Sequence, residues 1–145
     1  MGLNIPYLEG VAEHYLGWPV VVRVVPRDAT FNGELDYIGD HWDIALNESL
    51  GAENSGQLAP MFFHEVGHAR LGQMRRVDTG RGPGLSPDEW RQEYPGEEGE
   101  KHARAAQELE DEAWAWALAT LAAYEHENGY GTFYYHAIIR GDGHD

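Results

Sequence analysis

His64, Glu65 and His68 stand in the run His64-Glu65-Val66-Gly67-His68, an HExxH arrangement inside the stretch MFFHEVGHARLG from Met61 to Gly72. Residues four apart on an α-helix lie one turn above each other, so both imidazoles point the same way and can share one Zn²⁺. Glu65 is turned roughly 100° from His64, where its carboxylate can reach a water on such a metal. The chemistry this spacing serves is metal-assisted hydrolysis. Short patterns with three fixed positions also arise by chance on amphipathic helices, so the flanks matter. Met61, Phe62, Val66 and Leu71 give the helix an apolar side, and Gly67 and Gly72 permit close approach of other backbone.

A catalytic zinc takes three protein ligands and keeps an open position, so the motif makes a demand on the rest of the chain. The chain has no cysteine, which leaves His, Asp and Glu as donors. The extended pattern HExxHxxGxxH fails, because Gly72 comes one position late and the next histidine is His102. Two sources remain: His102 itself, and the acidic run Glu108-Leu109-Glu110-Asp111-Glu112. Ala106, Glu110, Ala113 and Ala117 fall on one helical stripe, and small neighbours would let that stripe pack closely on the histidine helix. The spacing therefore favours Glu110, with Glu108, Glu112 and His102 as lesser candidates. An acidic run early in a helix also has an ordinary explanation in the helix dipole.

The elements that must hold these residues are legible in the pattern. At 145 residues the chain fits one domain, and a hydrophobic content of 42% suits a globular core. Apolar positions recur at helical spacing from Ile5 to Leu16, with Gly17 as a stop. Val20–Val25 is β-branched and closed by Pro26. Asn32-Gly33 and Gly39-Asp40 read as turns, so Val20–Val25, Glu34–Ile38 and His41–Asn47 are expected to form a three-stranded antiparallel meander. Pro60 suits the first turn of the histidine helix. From Arg75 to about Gly99 the chain turns rich in Gly, Pro and charge, which predicts a long loop carrying one short helical turn after the cap Ser86-Pro87-Asp88-Glu89. Lys101–Asn128 reads as one long helix, and Tyr130–Arg140 as a short docked element before a frayed GDGHD. The expected fold class is α+β.

The formal charge of −15 excludes direct nucleic-acid binding, which needs a basic face, and favours a basic protein or peptide partner. A solvated acidic surface is the simpler account of most of that charge. No apolar run is long enough for a membrane span and the start lacks a signal-peptide layout, so a cytoplasmic protein is expected.

With HWDIALN at His41–Asn47 just ahead of FFHEVGHARLG, and Glu110-Asp111-Glu112-Ala113-Trp114-Ala115-Trp116-Ala117 beyond it, the chain from Ile5 to Ala123 resembles the ImmA/IrrE-type zinc metallopeptidases. That resemblance implies a minimal zincin-like domain, Zn²⁺ on His64, His68 and Glu110, and Glu65 as general base. It also implies cleavage of a protein, often a helix-turn-helix repressor in phage or stress regulation. The family usually carries Asn or Asp four positions after the glutamate ligand; here Trp114 stands there.

The expected activity is hydrolysis of a peptide bond in a protein substrate. Tyr130, Tyr134, Tyr135, His126 and His136 are candidates to stabilise the oxyanion, and the strand His41–Leu46, placed at a sheet edge, would bind an extended peptide. Two other readings stay open: an acidic binding or decoy protein on a zincin fold, and a zinc hydrolase of a non-peptide amide or ester. Glu65 favours an enzyme, since a purely structural metal has no use for a base beside its first histidine.

Overall fold

The computed structural model describes residues 2–72 and 86–139. The first part of the Gly/Pro-rich loop and the terminal GDGHD lie outside the described residues. In chain order the elements are β1 (Gly2–Leu3), α1 (Ile5–Leu16), β2 (Val20–Val25), β3 (Gly33–Ile38), β4 (His41–Asn47), α2 (Leu58–Arg70), α3 (Pro87–Glu93), α4 (Glu97–Asn128), α5 (Thr132–Ala137) and β5 (Ile138–Ile139). Two short 3₁₀ turns, Glu48–Gly51 and Ser55–Gln57, lead from β4 into α2. The chain is thus α+β, with a small sheet and a long C-terminal helix. Among the described residues no helix is long and apolar enough to cross a membrane.

The sheet differs from the expected meander. Its order is β2-β4-β3, with β4 parallel to β2 and antiparallel to β3. Gly39, at φ +68°, and Asp40 form the tight turn between β3 and β4, as anticipated. Asn32-Gly33 does not make a matching turn: Gly33 opens β3, and the chain from Pro26 to Asn32 passes over the end of β4 to reach the far side. The physical reason lies in β4. Ile44, Ala45 and Leu46 are wholly buried, which only a central strand achieves. Asp43 is also buried, with the Arg23 guanidinium 2.8 Å from its carboxylate. Asn47 secures the crossing segment. Its amide nitrogen donates to the Phe31 and Arg27 carbonyls at 3.2 and 3.4 Å, and its carbonyl oxygen accepts from Ser49 N at 2.9 Å.

Helix α1 begins at the expected Ile5 and stops at Gly17 in the left-handed conformation, φ 64°. It packs on β2 and closes that edge, Glu13 and Glu9 accepting from Val20 N and Val22 N at 3.1 and 2.9 Å. β3 is the other outer strand, with Met61 and Glu65 of α2 beside its Gly33 end, and β4, expected at an edge, is the centre. Ser86 forms the anticipated capping box with Glu89. α3 and the start of α4 occupy the later part of the stretch expected as loop; α4 runs from Glu97, four residues before the predicted start. α3 folds back on α4 through Trp90, Ala103 and Ala106. The tail forms α5 and pairs β5 with β1.

Helix α2 lies at the centre of all this. Phe62, Phe63 and Val66 are fully buried against Leu58, Ile44, Leu46 and Phe133. Each contributes on the order of 1.5–3 kcal/mol by burial, which is the reserve that holds ionisable side chains on the same helix out of water.

Candidate metal centre

Burial on nearly every side of α2 takes His64 and Glu65 with it; they are 6% and 5% exposed. The opposing wall is α4, which runs antiparallel to α2 and comes close because the facing residues are small. A Cβ on Gly67 would sit 3.1 Å from the Ala113 carbonyl oxygen and 3.1 Å from Cε3 of Trp116. Ala106, Ala113 and Ala117 are buried along the stripe that the sequence pattern indicated. At that distance Glu110 reaches across both histidines. Its Oε2 is 3.0 Å from His64 Nε2 and its Oε1 is 3.2 Å from His68 Nε2.

Donor atoms of His64, His68 and Glu110 all lie within 4.8 Å of one another. Two donors about 2.0–2.1 Å from one tetrahedral zinc are separated by about 3.3–3.4 Å, so the observed spacings need little change to share an ion. The donor set, two imidazoles and one carboxylate, is the kind a hydrolytic zinc takes. His64 Nε2 supplies a further sign. It is buried, its close neighbour is Glu110 Oε2, to which it lacks the alignment of a hydrogen bond, and it is aimed into the triad.

The other ring nitrogen, His64 Nδ1, lies 3.3 Å from Glu65 Oε2. With the proton on Nδ1 the imidazole donates to Glu65 and keeps its Nε2 lone pair for a metal. Glu65 thus rests against the first histidine rather than on the open side of the triad, a placement the helical angle alone did not indicate. Gly33 makes room for it: a Cβ there would meet Met61 Sδ at 2.7 Å and Glu65 Cγ at 3.3 Å. Trp114 completes the surround, stacked on His64 with centroids 4.0 Å apart and planes 15° from parallel.

The charges are coupled. Burial is the largest influence on His64 and lowers its pKa, yet Glu110 and Glu65 together outweigh it and raise the value from 6.5 to about 9. Glu110 is held well below the usual carboxylate range by His64 first and His68 second, against its own desolvation. Glu34, next to Gly33, is pushed up by burial, with the charge of Glu65 adding to it.

The remaining candidates fall elsewhere. Glu108 and Glu112 are exposed on other faces of α4. His102 stacks on Trp90 at 4.5 Å and sits 3.6 Å from Glu98, away from the triad. The oxyanion candidates are not brought to it either. The Tyr134 hydroxyl donates to the Gly56 carbonyl, and His136 packs on Tyr7. His126 and Tyr130 are exposed at the end of α4, roughly 24 Å or more along the helix from Glu110. Trp114 and Gly33 are the contributors that sequence reasoning missed. Only the missing Asn or Asp at position 114 signalled the first, and Asn-Gly was absorbed into a turn in the second.

Comparison with known proteins finds no family model, no curated protein and no solved structure that matches the chain.

Proposed function

We propose that this protein is a zinc-dependent peptidase on a minimal zincin-like domain, similar to the ImmA/IrrE-type metallopeptidases, acting on a basic protein substrate. The observation that carries the reading is the convergence of His64, His68 and Glu110 on one point, with His64 Nε2 buried and turned toward Glu110 there. His64, His68 and Glu110 would hold the ion. When bound, zinc supplies a Lewis acid that polarises water and the scissile carbonyl. Glu65 holds His64 at Nδ1 in the resting arrangement; turned toward the open side, it takes the proton of the attacking water and passes it to the leaving amine. A substrate in extended form adds to the outer edge of β3, which Gly33 brings against Glu65. That edge favours a peptide over a compact non-peptide amide or ester.

A formal charge of −15 favours one rival, an acidic protein that works by occupying a basic partner. The two separate in one experiment. Zinc content and cleavage of basic candidate proteins are measured for wild type, Glu65→Gln and His68→Ala. The peptidase reading expects about one zinc in wild type and in Glu65→Gln, and rates down roughly 10²- to 10⁴-fold in Glu65→Gln. His68→Ala should lose the metal. Full biological effect in a zinc-loaded Glu65→Gln would sink the enzyme, and absence of zinc from wild type would sink the site.

A further inference from the structure

On another side of the molecule, α1 and the last turns of α4 enclose a groove of about 290 Å³. Pro6, Tyr7, Gly10, Val11, His14, Tyr15 and Tyr124 line it. Tyr124 is roughly 21 Å along α4 from Glu110. The groove is preformed. The Tyr7 and Tyr124 hydroxyls hydrogen-bond to each other and tie its two walls together. Tyr15 is braced from behind by Phe63 and Trp116, edge-on at 5.8 Å each. Gly10, an exposed residue in mid-helix, lines it, and an added Cβ there would meet nothing within 4 Å. A glycine there weakens the helix relative to alanine.

The surroundings carry one sign of charge. Neither the stretch from Gly2 to Val22 nor that from Ala105 to Ile139 contains a single Lys or Arg; Glu9 and Glu13 of α1 are turned to the β2 backbone, while Glu125 and Glu127 lie on the α4 side of the groove. Glu127 is near enough to Tyr15 that its charge joins burial in pushing the phenol upward. An apolar slot with acids beside it and no Lys or Arg on the segments that wall it matches a helix with an apolar stripe between lysines or arginines. It repels anionic lipid and nucleic acid alike.

We infer that the α1–α4 groove docks a cationic amphipathic helix of a partner protein, which seats an apolar side chain over Gly10. The groove is separate from the metal triad, and its test uses neither metal nor hydrolysis.

The probe is a fluorescent peptide of leucine and lysine with the leucines at helical i, i+3, i+4 spacing. Two controls accompany it: the same composition with leucines spread around the helix, and the patterned peptide with glutamate in place of lysine. Anisotropy titrations use the full chain. The patterned cationic peptide should bind, more weakly as salt rises. Both controls should bind about tenfold more weakly or less, the loss of one apolar anchor or of the charge match. Gly10→Leu fills the slot and should weaken the patterned peptide about tenfold, while Gly10→Ala should not. The Cβ that both substitutions add meets nothing within 4 Å, and both replace a mid-helix glycine, so thermal unfolding should be unchanged or raised. Equal binding of the spread-leucine control would show that charge alone acts and overturn the groove. So would unchanged binding to Gly10→Leu. If wild type sediments as a dimer and Gly10→Leu as a monomer, the occupant is a second copy and the assignment to a cationic partner is wrong.

Discussion

The indole of Trp114 lies flat against the imidazole of His64, 4.0 Å centroid to centroid. Stacking is a second way to fix such a ring, beside a hydrogen bond to its nitrogen. A carboxylate or amide fixes a metal-binding histidine through its second nitrogen. Here Glu65 takes that nitrogen and Trp114 holds the plane of the ring. Aromatic pairs of this kind contribute about 0.5–1.5 kcal/mol beyond burial. Trp114→Ala should therefore weaken zinc about tenfold, judged by competition with a chelator, while Trp114→Phe keeps most of the affinity. Unchanged affinity in Trp114→Ala would remove the positioning role.

Gly67 makes a second, sharper claim, because the space it leaves is filled by backbone. The Ala113 carbonyl cannot swing away as a side chain can, so Gly67→Ala must push α4 off α2 by a few tenths of an ångström. The expected cost is about 1–3 kcal/mol, read as a lower Tm. Glu110 sits three residues before Ala113 on the displaced wall, so zinc affinity should fall with it. Ala113→Gly, made together with Gly67→Ala, should not rescue the fit, since the clash is with main chain.

What could be read from residues and what could not follow a physical line. Local signals survived folding: the Gly17 stop, the Ser86 capping box, the Gly39-Asp40 turn and the Ala106-Glu110-Ala113-Ala117 stripe each depend on neighbours within a turn or two. Strand order did not survive, because it is decided by which strand is buried on both faces. The turn signals at Asn32-Gly33 and Gly39-Asp40 implied a meander that leaves β4 outermost, whereas Ile44, Ala45 and Leu46 are wholly buried and Asp43 pairs with Arg23 of β2. The start of α4 was misjudged for a similar reason. Gly99 reads as loop, yet a Cβ there would strike the Tyr94 carbonyl oxygen, so it is the contact where α3 turns back on α4. The motif gave the direction of Glu65 from helical geometry alone, whereas its rotamer answers to Gly33, a residue on another element.

The crossing from β2 to β3 gives a prediction independent of any metal. Asn47 is buried and spends its whole amide on the Phe31, Arg27 and Ser49 main chain. Asn47→Ala would strand those groups, and each one left unpaired in the interior costs about 1–3 kcal/mol. Chemical denaturation should show a loss of at least about 2 kcal/mol with the m-value unchanged. Asn47→Asp keeps the acceptor toward Ser49 but removes the donor, so it should be intermediate or worse. A loss within about 0.5 kcal/mol, the range of an ordinary surface change, would mean the segment is held elsewhere.

The triad itself predicts opposite pH responses with and without metal. In the metal-free protein His64 titrates at about 9, above its unfolded value. A raised histidine contributes stability that is full below about pH 6.5 and is lost as pH climbs through 9. Glu110 is lowered, so its contribution is full above about pH 4.3 and is lost as pH falls below that. Metal-free protein should therefore be most stable between about pH 4.5 and 6.5, and Tm should decline from there toward pH 9. Zinc reverses the slope. It needs the Nε2 lone pair and must displace a proton below pH 9, so apparent affinity should rise by up to about tenfold per pH unit across neutrality and flatten above 9. Since a ligand stabilises by its occupancy of the folded state, the Tm of the zinc-loaded protein should rise over the window in which that of the metal-free protein falls. Scans of chelator-treated and zinc-supplemented protein measure both arms. His64→Gln should abolish the divergence, and parallel curves in wild type would show that His64 neither pairs with Glu110 in solution nor gives up a proton to metal.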